Sequence, residues 1–101
     1  MQPARQIAIM MDKLSKLRRE VYSSAAVFHA AMSKYFTALN DDDAAVPVTA
    51  AVAREAGEVY NAALVSLLKH LKSLPSNLEV SQEAERAERT ISLLSFEVRR
   101  L

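Results

Sequence analysis

The fold of this chain is decided by residues 4–39, ARQIAIMMDKLSKLRREVYSSAAVFHAAMSKYFTAL. The stretch contains neither proline nor glycine, and an apolar residue recurs in it at every seventh position. The members of this row are Ile7, Leu14, Val21, Phe28 and Tyr35. Further rows begin three and four residues after the first, so the apolar side chains form one stripe along a helix of about 3.6 residues per turn. The stretch therefore predicts a single long helix.

Length and composition agree with a small helical domain. The chain has 101 residues, of which 50% are hydrophobic and 25% are charged, as is usual for one folded domain. A single glycine and three prolines leave little material for turns. A sheet of short strands would need a turn about every ten residues. We therefore expect an all-α fold in a single domain that spans residues 1–101.

A connector and a second helix follow the first stretch. The segment NDDDAAVP, residues 40–47, supplies turn-forming side chains and a proline, so it predicts the end of the first helix. We expect the second helix over residues 48–73, with Thr49 as its N-cap and Pro75 beyond its end. The first half of this helix is rich in alanine and holds the only glycine, Gly57. Such small residues predict the close approach of a neighbouring helix.

The third helix is predicted over residues 78–100. Ser76 and Glu79 have the spacing of a capping box, and Ser81 is an alternative cap. An apolar row repeats within the helix at spacings of three and four residues: Ala84, Ala87, Ile91, Leu94, Val98 and Leu101. Three long helices with short connectors predict an antiparallel three-helix bundle with one long N-terminal helix and coiled-coil-like packing.

The first two helices differ in length, and the difference predicts an uncovered apolar end. If the two helices pair outward from their connector, residue 73 lies opposite residue 14, and the second helix covers nothing before that point. The apolar side chains at this end are Ile7, Ile9, Met10, Met11 and Leu14. An apolar surface that its own chain leaves exposed is typical of an interface, and methionine suits adaptable binding surfaces.

This pattern favours a protein-protein interaction module, such as a small adaptor, a chaperone-like protein or an assembly subunit. We expect self-association through the N-terminal helix, most simply as a homodimer, or binding of a helical partner protein. A structural subunit of a phage or secretion assembly would have the same features, and the sequence does not separate these roles. In this interpretation the chain is not an enzyme and uses no catalytic residue, cofactor or metal ion.

An alternative interpretation is a magnesium-dependent enzyme. Two Glu-x-x-Glu pairs lie on the second and third helices, and their members are Glu55, Glu58, Glu85 and Glu88. Residues three apart share a helix face, so two such pairs on antiparallel neighbours would surround Mg²⁺ with carboxylate oxygens. This interpretation requires the two pairs to lie at the same level of the bundle.

The stretches REAGEVYNAALVSLL and EAERAERTISLL resemble the helical core of the all-α nucleoside triphosphate pyrophosphohydrolases. The resemblance implies Mg²⁺ held by a Glu-Glu-x-x-Glu motif and a later Glu-x-x-Asp motif. It also implies hydrolysis of a nucleoside triphosphate with release of pyrophosphate. In this chain, however, Arg54 stands in place of the first glutamate and Glu88 in place of the aspartate.

Charge is distributed unevenly along the chain, although the formal net charge is only +1. Residues 1–39 carry a balance of +4, and residues 40–58 carry a balance of −4. We expect these two regions to offset each other within the fold or between copies. We expect no nucleic-acid partner, because a domain that binds nucleic acid is usually basic as a whole.

The sequence also predicts where in the cell the protein is located. Its first residues, MQPARQIAIMMDKL, lack the pattern of a signal peptide, and no run approaches the roughly twenty apolar residues of a membrane span. The absence of cysteine excludes disulfides and cysteine-based zinc sites. We therefore expect a cytoplasmic location and no membrane partner.

Overall fold

Three helices make up the part of the chain that the computed structural model describes, which is residues 3–42 and 44–101. Helix α1 spans Pro3–Asn40, α2 spans Val46–Ser73 and α3 spans Leu78–Arg99. They form an antiparallel three-helix bundle, and no strand occurs within these described ranges. The bundle measures 60 × 20 × 14 Å, because α1 extends along its whole length. The predicted all-α class and the long first helix are confirmed.

The centre of the bundle places one aromatic ring against small side chains. Phe28 on α1 is 1% exposed and packs in one cluster with Ala53 and Ala56 of α2. Ala53 is itself 0% exposed. Because alanine side chains are short, the two helix backbones approach closely and the phenyl ring fills the remaining volume. The close approach predicted for the alanine-rich half of α2 is confirmed.

Gly57 lies where a side chain does not fit. A Cβ atom added at this position would lie 2.6 Å from Cγ2 of Val98 on α3 and 3.1 Å from Cε1 of Phe28 on α1. Both distances are shorter than an ordinary contact between carbon atoms, which is about 3.5 to 4.0 Å. Gly57 therefore allows all three helices to meet at one level, which explains a glycine in the interior of a helix.

A second core cluster lies toward the start of α1, and it corrects the predicted pairing of the first two helices. Leu14 packs with Leu67 and Leu71, and Nε2 of His70 lies 3.3 Å from the carbonyl oxygen of Met10. The prediction that residue 73 lies opposite residue 14 is therefore wrong. Helix α2 reaches about one turn farther along α1 than expected.

The reason for this difference is a tight turn between α1 and α2. Asp42 adopts a positive φ of 49°, in the left-handed region that aspartate tolerates better than most residues. The next helix then begins at Val46, two residues earlier than predicted. A shorter connector shifts the whole of α2 toward the start of α1.

The start of α2 also differs from the prediction. Ala45 is the N-cap residue and makes no side-chain capping bond, and Pro47 lies in the first turn. The Thr49 hydroxyl donates to the carbonyl oxygens of Ala45 and Val46, at 2.9 and 3.0 Å, so Thr49 is not the cap. Proline has no N–H group to satisfy, so it suits the first turn of a helix.

Helix α3 begins at a cap other than the two that the sequence pattern predicts. The side-chain oxygen of Asn77 accepts a hydrogen bond of 2.9 Å from the backbone N–H of Val80. Asparagine is as effective at this position as serine. The predictions of Ser76 or Ser81 as the cap are therefore wrong, although the predicted start of the helix at residue 78 is confirmed.

Helix α3 packs mainly against α2. The backbones of α2 and α3 approach closely, whereas α1 and α3 meet only through side chains. Ala87 and Leu94, two members of the predicted apolar row, are buried. Leu93 and Phe96 are exposed on the outer face of α3, and the guanidinium carbon of Arg100 lies 4.5 Å from the centre of the Phe96 ring. Helix α3 therefore covers one side of the α1–α2 pair.

We predict that Gly57→Ala lowers the free energy of unfolding by about 1 kcal/mol, because the added methyl group displaces Val98 and the Phe28 ring. A decrease in the free energy of unfolding is informative, since alanine is intrinsically the better helix former by about 1 kcal/mol. Urea denaturation followed by circular dichroism measures the change. In a Val98→Ala background the same substitution should cost less. An increase in stability in the unaltered background would contradict the packing at this level.

Candidate interaction surface

One of the two grooves between α1 and α2 is occupied by α3. Leu17 and Val21 of α1 pack in the same cluster as Val80 and Ala84 of α3. These contacts lie beside an ion pair that links α1 directly to α3.

The ion pair joins Arg18 and Glu83. Nε of Arg18 donates to Oε2 of Glu83 at 2.9 Å, and Nη2 donates to Oε1 at 2.5 Å. This two-bond arrangement fixes both side chains. The hydrogen bond from Arg18 lowers the pKa of the Glu83 carboxyl, although its partial burial opposes this. The pair therefore marks the face of α1 that α3 covers.

The opposite groove between α1 and α2 is open. It has a volume of about 700 Å³ and is lined by residues of α1 and α2 alone: Glu20, Ser23, Ser24, Val27, Val52, Glu55, Ala56, Val59, Ala62, Ala63 and Ser66. Val27 lies nine residues after Arg18, which is half a turn around a helix that advances about 100° per residue. The open groove therefore lies on the side away from α3.

Three valines give the open groove its apolar character. Val27 is 62% exposed, Val52 is 52% exposed and Val59 is 58% exposed. The remaining positions are mostly alanine and serine, so the groove is shallow and its walls are smooth. Glu20 and Glu55 are the charged side chains in its lining. Such a surface offers an apolar helix a place to pack, and it lacks a nucleophile paired with a base.

The N-terminal end is more completely covered than the sequence predicted. Leu14 is 3% exposed within the chain's own core, and Met10 is half-buried. Ile7, Ile9 and Met11 are exposed. A cavity of about 300 Å³ here is shared with the α2–α3 connector and the start of α3, through Leu74, Pro75, Asn77, Glu79, Val80 and Glu83. The surface left for a partner at this end is therefore smaller than expected.

The two Glu-x-x-Glu pairs are not brought together. Nζ of Lys72 on α2 lies 3.2 Å from Oε1 of Glu88 on α3, whereas Gly57 lies at the level of Val98. The pair at Glu55 on α2 is therefore separated from Glu88 by about fifteen residues of helix, or about 20 Å. The described residues contain no group of three or more acidic or histidine side chains that could hold a metal ion.

This separation corrects the predicted magnesium site. The resemblance to the pyrophosphohydrolases implies carboxylates that converge from two helices on Mg²⁺. In this chain Glu55 lines the open groove on one side of α2, while Glu85 and Glu88 border a shallow depression on α3. The four side chains therefore do not form the predicted site.

One further group of ionisable side chains lies near the centre of the bundle. The ring of Tyr60 lies 5.9 Å from that of Phe28 and 6.3 Å from that of His29. Burial, and then the negative charge of Glu97, raise the pKa of Tyr60. His29 is exposed. The Phe28 and Tyr60 rings pack in the core, and His29 lies at its margin.

The open groove is not evident from the sequence pattern, for an identifiable reason. Val52 and Val59 are seven residues apart on α2, which is a visible helical repeat. On α1, however, Val27 stands between Glu20 and Lys34 in its row of every seventh residue. A row with one apolar member resembles an ordinary solvated face.

No protein-family model, curated protein or solved structure matches the chain. Among the described residues, none of the helices combines the length and the apolar character that a bilayer crossing requires. The cytoplasmic location and the coiled-coil character stay predictions.

We predict that Glu83→Gln lowers the free energy of unfolding by about 1 kcal/mol at pH 7, because a partly buried two-bond pair with Arg18 is lost. The pKa of Glu83 is lower in the folded than in the unfolded chain. The pair therefore stabilises the fold above pH 4.5, the carboxyl's ordinary pKa, and its contribution disappears as the pH falls through the folded value.

The measurement is chemical denaturation of the wild type and the variant between pH 7 and pH 3. The difference between the two proteins should narrow below pH 4.5. A difference that stays constant with pH would show that the ion pair does not contribute in the way that the geometry indicates.

Proposed function

We propose that the chain is a protein-interaction module that binds an apolar helix in the open groove between α1 and α2. It acts in this proposal as an adaptor, a chaperone-like protein or an assembly subunit, and not as an enzyme. The observation that carries the proposal is the alignment of Val27, Val52 and Val59, each more than half exposed, along one groove.

The alignment matters because single exposed valines are common on protein surfaces and need no explanation. Three that line the same groove, beside alanines, form a contiguous apolar surface, and such surfaces mark binding sites. Removing one half-exposed valine side chain from water is worth about 1 kcal/mol. A helix that covers all three valines therefore gains favourable free energy, and further contacts add enough for it to bind.

The other side of the α1–α2 pair indicates what kind of partner fits. There α3 packs with one apolar row, of which Ala87 and Leu94 are buried. The open groove, by contrast, is lined mainly by valine, alanine and serine, so its walls are lower than the leucine-rich side that α3 covers. A helix with one apolar face is therefore the partner that this surface suits best.

The magnesium-dependent alternative has no comparable support, because its carboxylates lie on different faces and at different levels of the bundle. A structural role in a larger helical assembly uses the same surface and differs only in the number of copies that come together. The exposed N-terminal residues Ile7, Ile9 and Met11 supply a second, smaller apolar surface for such contacts.

We predict that a photoreactive phenylalanine analogue in place of Val59 forms covalent adducts of defined mass with bound protein when cells that express the chain are irradiated. The matched control carries the analogue in place of Leu93, which is exposed on the outer face of α3. Denaturing electrophoresis and mass spectrometry identify the adducts. Equal adducts from both positions, or none from either, would contradict an interaction role for the open groove.

A further inference from the structure

A row of every seventh residue on α1 includes Glu20 and Val27 of the open groove and continues beyond it in both directions: Lys13, Glu20, Val27, Lys34 and Asp41. All five side chains are exposed. Asp41 follows the last residue of α1, and its backbone N–H still bonds to the carbonyl oxygen of Thr37 at 3.1 Å. It therefore continues the row with helical spacing.

When a second copy of this row runs in the opposite direction, each of its charges faces a charge of opposite sign in the first copy. Glu20 and Lys34 lie seven residues on either side of Val27, and Lys13 and Asp41 lie fourteen residues on either side. Two copies of the row that run in opposite directions about Val27 place each acidic residue opposite a basic one. The complete pairing contains four ion pairs and one contact between the two copies of Val27.

These charges are available for a partner. Among the residues that the structure describes, ion pairs form between Arg18 and Glu83 and between Lys72 and Glu88. None of the charged members of the row takes part in either pair. Their charges are therefore not used in an ion pair within the described part of a single copy.

We propose that the open groove is occupied by helix α1 of a second copy, which runs antiparallel to α1 with a two-fold axis beside Val27. This inference rests on the proposed function, and it names the partner. The N-terminal half of α1, with its excess of positive charge, then lies against the C-terminal half of the other α1 and the acidic connector. Such self-complementarity is what a two-fold interface requires.

The apolar side chains of the open groove fit this arrangement. The α1 helix of the second copy runs parallel to α2. Val27 lies between the levels of Val52 and Val59, because the adjacent Phe28 packs against Ala53, Ala56 and Gly57. Ser23 of the second copy then lies toward Val52, and Ala30 of the second copy lies toward Val59. Val52 and Val59 each meet a small side chain, which favours a close approach of the helices.

The surface is large enough for a stable dimer. Residues 13–41 span about 43 Å at 1.5 Å per residue, and two adjacent helices are about 20 Å wide. The face therefore offers about 800 Å² on each copy, which is the usual size of a specific protein interface.

Charge reversal tests the pairing. Purified chain should sediment as a species of twice 11.2 kDa at micromolar concentration. Glu20→Lys alone and Lys34→Glu alone should each weaken the dimer at least about ten-fold, because each places like charges opposite each other twice. The double variant carries both reversals and should recover the wild-type dissociation constant within about three-fold.

The rescue is diagnostic because Glu20 and Lys34 are about 21 Å apart along their own helix and do not interact within one copy. Glu85→Lys on α3 makes the same change of charge away from the open groove and should leave the dissociation constant unchanged. Circular dichroism verifies that every variant is helical.

A wild-type chain that is monomeric at high micromolar concentration overturns this inference, as does a double variant that is as weak as the single variants. A different result tests the proposed function. If the photoreactive residue at position 59 captures only a different protein while the purified chain is a monomer, the interaction role stands and the second copy is the wrong partner. If position 59 captures nothing and the chain is a monomer, both are wrong.

Discussion

The contact between Phe28 and the small residues of α2 sets the rest of the structure. The ring needs the space that Ala53 and Ala56 leave free, and this pairing fixes the register of α1 and α2. At the same level Gly57 has no side chain, so Val98 of α3 comes close to the backbone of α2. Because α3 docks on that side, the other side of the α1–α2 pair remains uncovered. The open groove is therefore a consequence of how the core is packed.

The sequence predicted the elements of this fold better than their contacts. The seven-residue apolar row and the proline positions located all three helices, and the alanines before Gly57 indicated a close approach. The register was wrong because it depended on the backbone of a short turn, in which Asp42 takes a left-handed conformation that residue types suggest only weakly. The candidate surface was missed because which faces α3 covers is decided by tertiary packing.

Charge links the sequence to the proposed function. The opposite balances of residues 1–39 and 40–58 are a simple count, and they suggested that two regions offset each other. Only the structure shows that Lys13, Glu20 and Lys34 are exposed and that Glu20 lines a groove of valines. An alternating charge row gives direction and register to an apolar contact that alone would permit many alignments. In the proposed dimer, the apolar surface provides affinity and the charges select the antiparallel pairing.

The most direct test of this pairing is a distance measurement between two copies. The chain has no cysteine, so a single nitroxide label attached at Lys16→Cys or at Thr37→Cys reports only the separation between copies. These positions lie eleven residues before and ten residues after Val27. Pulsed electron resonance should give about 30 Å for each label, since each pair lies about twenty residues apart along the antiparallel helices. Unequal distances, or two short distances of about 10 to 15 Å as in a parallel pair, would contradict the antiparallel pairing.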